Sequence, residues 1–165
     1  MLAVDGLAEE VERHDATQQE QDDHEGDEDG LHPEDRTGAT VLGMTSQRSL
    51  VVKLTEGAAS AEKVNQAFTV AATAAASGVP VSLWLTGEAV WFAVPGRASS
   101  FSLELATPLE ELLDSVVALG TLTVCTQCAA RRALTASDLV DGARVAGAAT
   151  FVEESLAEGA QALVY

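Results

Sequence analysis

Isoleucine is absent from this 165-residue chain, asparagine occurs once, lysine twice, and aromatic residues make up only 4%. Alanine, valine, glycine and leucine take their place, a bias expected of a GC-rich genome rather than of any particular chemistry. Histidine is confined to His14, His24 and His32, and cysteine to Cys125 and Cys128. Beyond residue 43 the chain therefore offers two of the four ligands that tetrahedral zinc needs, so no metal is expected unless a site is shared across a subunit interface. The histidines lie among carboxylates at irregular spacing, a poor cage for an ion. No apolar run is long enough for a membrane helix, and the first residues are acidic instead of basic, so no secretory signal is expected. A cytoplasmic protein without membrane contact is expected, and there two neighbouring thiols rest reduced. A full glycine fingerprint is also missing. The loop Thr55-Glu56-Gly57-Ala58-Ala59 would set Glu56 against a phosphate, so no nucleotide or other cofactor is expected.

The net charge of −17 is distributed unevenly. Residues 1–36 hold 14 of the 26 acidic residues and two of the nine basic ones, a balance of −12, which leaves −5 for the remainder. Residues 15–37 are almost devoid of apolar side chains and cannot offset the entropy of ordering. We therefore expect residues 1–43 to form a disordered acidic extension and residues 44–165 a single domain, for which Met44 would be a natural start. The domain's mild acidity excludes nucleic acid as the main partner, because phosphate binding needs more than the Arg131-Arg132 pair.

From Ser49 onward, strands alternate with helices. Ser49–Leu54 is a mostly apolar strand of the kind covered on both faces in a parallel sheet. A helix follows from Ser60 to Ser77, with Ala61, Val64, Phe68, Ala71, Ala72 and Ala75 on one stripe, and Gly78 ends it. Val79–Thr86 is a second strand, leading into a turn that makes Glu88 a site neighbour. The apolar segment Ala89–Val94 carries Trp91 and Phe92 and is expected to form an oligomer interface, with plain core as the alternative. Arg97–Leu105 is loop with a short strand. Thr107-Pro108-Leu109-Glu110 matches a capping box for a helix that buries Leu109, Leu112, Leu113, Val116 and Val117 and ends before Gly120. A turn from Ser137, a strand over Arg144–Ala148, a second capping box at Thr150–Glu153 and a closing strand over Ala162–Tyr165 complete the pattern. The alternation implies a three-layer α/β/α sandwich around a mainly parallel sheet, flavodoxin-like in outline.

The chemistry is expected in Leu122–Leu134, LTVCTQCAARRAL. Leu122, Thr123 and Val124 end a buried strand and Ala129 and Ala130 favour helix, which puts Cys125 at a strand-to-helix turn. First-turn N–H groups and the cations Arg131 and Arg132 would favour a thiolate there, the nucleophilic form of cysteine. Cys-x-x-Cys alone admits several uses: sulfur carriage, a thiol-disulfide switch or thiol peroxidase with Cys128 resolving Cys125, half of a shared metal site, or two inert buried thiols. A non-catalytic oligomeric binding protein is a further alternative.

That motif resembles the DsrE/DsrF-like family of small α/β sulfur-relay proteins. The likeness extends through Leu50–Thr55, Asn65-Gln66-Ala67-Phe68, Val81–Thr86 and Ala162–Tyr165, in the same order and over roughly residues 46–165. It implies a persulfide on Cys125, sulfur donor and acceptor proteins as partners, and assembly as trimers or hexamers. Cys125 and Cys128 become the candidate reactive residues, supported by Thr126, Arg131, Arg132 and Glu88. The family often has glycine after the arginine pair, where this chain has Ala133, and often lacks a counterpart of Cys128.

Overall fold

The computed structural model describes residues 48–165. The expected acidic extension and its three histidines lie outside the described residues. Five strands, β1 (Ser49–Leu54), β2 (Val81–Leu85), β3 (Thr121–Cys125), β4 (Ala143–Ala146) and β5 (Ala160–Val164), form one parallel sheet in the order β4-β3-β2-β1-β5. The chain steps from β1 to β4 in one direction and then returns to the far side of β1. Parallel crossovers are right-handed, so this reversal sends the last connection to the opposite face. Helices α1 (Ala61–Ala76) and α2 (Leu109–Leu119) pack together on one face. The short α4 (Ala148–Ser155) covers the other, where Phe151 meets Trp84 of β2. The expected α/β/α sandwich is present.

Strand alternation decides which residue serves which face. Val52 and Leu54, Val81, Leu83 and Leu85, and Leu122 and Val124 join Val64, Phe68, Ala71, Leu112 and Val116 in one core. The alternate residues Lys53, Trp84, Thr123 and Cys125 turn to the α4 side. The core side is thick; the other is thin. Every residue of α4 keeps some exposure, and Val145, Val152, Leu156 and Val164 stand out among the exposed apolar side chains.

Local signals held in part. α1 ends in a Schellman motif with Gly78 at φ +80, Val79 N–H donating to Ala74 O and Gly78 N–H to Ala75 O. The capping box at Thr107 does not form. Pro108 is itself the N-cap with ψ 133, which leaves Thr107 one residue too far out, and its carbonyl accepts from Asn65 of α1 instead. Thr150 is no cap either, because α4 starts after Gly147. The capping box that does form joins Thr135 to Asp138 around the 3-10 turn Ala136–Asp138. Arg97–Leu105 contains no strand.

The interface reading of the aromatic segment needs correction. Gly87–Ala93 is a 3-10 helix that folds inward, burying Ala89, Val90, Phe92 and Ala93. Phe92 stands edge to face between Phe68 and Phe101, at 6.1 and 5.6 Å. It is core, because Phe68 of α1 supplies the aromatic contact that a lone segment lacks. Trp91 stays half-buried beneath the Arg97 guanidinium.

Candidate functional site

Cys125 is the last residue of β3 and the N-cap of α3 (Thr126–Ala130), with extended backbone at φ −66 and ψ 123. An apolar strand that runs straight into helix-forming alanines leaves no room for a loop, so the thiol emerges at the carboxyl edge of the sheet. It is half-buried, while Cys128, one turn further on, is buried. The structure thus separates the pair by exposure.

Burial pushes the Cys125 thiol up. The N–H of Cys128, the Cys128 side chain, the N–H of Gln127 and the Lys53 ammonium act in the other direction and prevail, so its pKa lies below the ordinary cysteine value. These N–H groups face the sulfur without closing a full cap hydrogen bond. The cation in this set is Lys53 of β1, on the same side of the sheet. Sequence reasoning had assigned that task to the arginines, but Arg132 donates to Cys128 O at 3.0 Å and forms an ion pair with Glu88. Arg131 is exposed and its side chain has no hydrogen bond or ion pair among the described residues. Glu88 and Arg132 are brought together, beside Cys128 instead of Cys125.

Cys128 is held from the β2 side. The Gly87 N–H donates to its Sγ at 3.2 Å. Gly87 has φ +54, and a Cβ there would lie 2.6 Å from Thr55 O, so only glycine brings that N–H to the sulfur. α3 also closes with a Schellman pattern, Leu134 N–H to Ala129 O and Ala133 N–H to Ala130 O. Ala133 occupies its left-handed position at φ 54. A side chain is strained there, and glycine would fit the position without that strain.

In front of Cys125 opens a cleft of about 310 Å³ whose walls include Lys53, Trp84, Thr86, Thr126 and Phe151. Thr126 is exposed at its rim. Trp84 and Phe151 meet edge to face with centroids 5.3 Å apart, and the Lys53 Nζ lies 4.7 Å from the Phe151 centroid. Trp84 is fixed in turn by Glu154, whose Oε2 accepts from Trp84 Nε1 and Ser82 Oγ, each at 2.7 Å. Arg144 binds the other carboxylate oxygen and reaches Thr123 Oγ1 at 2.7 Å. Sequence reasoning missed Lys53, Trp84, Phe151 and Glu154 as site residues. The one available signal was Lys53, a lone charge inside an apolar strand. Among the described residues no cluster of three or more histidine, cysteine or carboxylate side chains is placed to hold a metal ion.

The model of the DsrE/DsrF-like family matches residues 48–164, nearly the whole described part. The chain belongs to the DsrE/DsrF-like family. Membership places it, at family level, among proteins of the sulfur-relay type. Two solved structures share the DsrE-like fold. The YchN protein from E. coli matches with a TM-score of 0.61 at 16% identity, over 72% of this chain and 99% of that one. MTH1491 from Methanobacterium thermoautotrophicum, itself described as of unknown function, matches with a TM-score of 0.56 at 12% identity, over 72% and 99%. No curated protein matches the chain in sequence. No helix of the described part is long and apolar enough to cross a membrane.

Proposed function

We propose that this DsrE/DsrF-like protein carries sulfur as a persulfide on Cys125. The observation that carries the reading is a half-exposed thiol at the mouth of a cleft, with a depressed pKa and two helix N–H groups and Lys53 around it. Such surroundings shift the balance from thiol toward thiolate and favour the anion of a persulfide in the same way. The thiolate attacks the outer sulfur of a donor, and an acceptor cysteine later takes that sulfur. A sulfur donor and an acceptor protein of a cytoplasmic relay are the partners this implies.

Cys128 supports a second reading, a thiol-disulfide element. Its side chain lies close enough to favour the Cys125 anion, and attack by Cys128 on Cys125–S–SH would release hydrogen sulfide and leave a disulfide. Its burial and its hydrogen bond from Gly87 hold it back from that attack. Intact mass spectrometry after exposure to a sulfur donor separates the two. Gain of one sulfur atom in wild type and Cys128→Ser, absent in Cys125→Ser, supports carriage. Loss of two hydrogens in the wild type alone supports the disulfide element and overturns carriage.

The chain is further proposed to self-associate, as the family resemblance implies. Support now comes from the exposed apolar residues Val152, Leu156 and Val164 around α4 and β5, and no longer from Phe92.

A further inference from the structure

Among the described residues Lys63, Arg132 and Arg144 pair with Glu56, Glu88 and Glu154, whereas Arg48, Lys53, Arg97 and Arg131 pair with no carboxylate. Of these four, Lys53 is the one that lines the Cys125 cleft. It faces the cleft with its ammonium against the Phe151 ring. Contact with a ring face supports a cation without neutralising it, so the charge stays available to an incoming anion.

The rest of the cleft restricts what that anion is attached to. The volume of about 310 Å³ lies at the small end of ligand sites, and Trp84, Phe151 and Ala148 give it a largely apolar lining. Free sulfide would use neither the volume nor the lining. A few carbon atoms between a sulfur and a carboxylate would use both, with the sulfur at Cys125 and the carboxylate at Lys53.

Resting on the persulfide reading above, we propose that the cleft takes sulfur from a small organic persulfide that bears a carboxylate, of the size of cysteine persulfide, and that Lys53 selects it by its charge. The Cys125 thiolate attacks the outer sulfur of R–S–SH. A new S–S bond forms as Cys125–S–SH, the donor's S–S bond breaks, and its electron pair leaves on the inner sulfur as R–S⁻. The proton travels with the transferred sulfur. No outside oxidant or reductant is consumed.

Iodoacetate and iodoacetamide test the anion site apart from sulfur chemistry, since they differ in charge at nearly equal size and consume the same thiolate. Their rate ratio at Cys125 therefore cancels any change in thiolate fraction. In the Cys128→Ser background the ratio should fall by roughly two- to fivefold in Lys53→Gln, the range of a partly exposed ion pair. It should recover in Lys53→Arg and stay unchanged in the control Lys63→Gln. In parallel, intact mass should show Cys125 gaining sulfur faster from cysteine persulfide than from its methyl ester, and Lys53→Gln should erase the difference. An unchanged alkylation ratio in Lys53→Gln, or equal loading from acid and ester, overturns the proposal. Retained selectivity for iodoacetate with no sulfur gained from either donor overturns the persulfide reading instead, and with it this choice of substrate, while the anion site at Lys53 stands.

Discussion

Lys53 and Cys125 come from strands separated by β2, yet they face each other across the α4 side of the sheet, and the lysine charge helps hold the thiol below its ordinary pKa. β2 contributes Trp84 between them.

The pH dependence of alkylation follows from that pairing. Cys125 should alkylate well before the buried Cys128, and Lys53→Gln should move the apparent pKa of the Cys125 reaction upward. Replacing Arg131 and Arg132 together with Gln should leave it in place, because Arg132 is engaged with Cys128 O and Glu88. Rate–pH profiles with iodoacetamide measure this. An upward shift in the arginine variant with none in the lysine variant would return the task to the arginines.

Glu154 links the cleft to acid stability. Burial pushes its carboxyl up, and hydrogen bonds from Ser82, Trp84 and Arg144 with the Arg144 charge outweigh this and lower its pKa. A depressed folded pKa contributes stability that is complete above the unfolded value, about 4.3, and that vanishes as pH falls through the folded one. Glu154→Gln should thus melt below wild type at neutral pH, with the gap closing in acid. Glu154→Ala, which strands the buried Trp84 N–H, should cost about 1–3 kcal/mol. A gap constant with pH in thermal unfolding counts against the assignment.

Phe92→Ala should cost about 3–5 kcal/mol in urea unfolding, as expected for an aromatic removed from a packed core. Its molecular mass by light scattering should stay that of the wild type. Val152→Asp with Leu156→Asp should do the reverse, lowering the mass at little cost in fold stability. Equal masses for wild type and this double variant would remove the α4 face as an interface.

Ala133→Gly should stabilise the chain by about 0.5–1 kcal/mol, since φ 54 strains alanine and suits glycine. Denaturant midpoints measure it. A destabilised variant would mean that the gain in unfolded-state entropy outweighs the relief.

The sandwich and the position of Cys125 were legible because their signals are local: apolar β-branched runs, alanine-rich helices, and a strand that abuts a helix former without a loop. The cleft was not. Lys53 and Phe151 are distant in sequence, and their contact depends on β5 returning past β1, which no local pattern announces. The cap at Thr107 misled because the motif tests residue types and not the ψ of Pro108. The Thr135–Asp138 box escaped notice because a three-residue 3-10 turn has no apolar periodicity to attach it to. Phe92 was misplaced because an isolated apolar segment reads the same whether it turns in or out.

The unequal layers bear on how Cys125 is reached. α4 spans eight residues, none of them fully buried, and is tied down chiefly by Phe151 on Trp84 and by the Glu154 network. Segments with so few anchors open on their own, ahead of global unfolding. Amides of α4 should then exchange with deuterated water long before those of α1, and the rate of that excursion sets an upper limit on traffic for anything too large for the cleft of about 310 Å³.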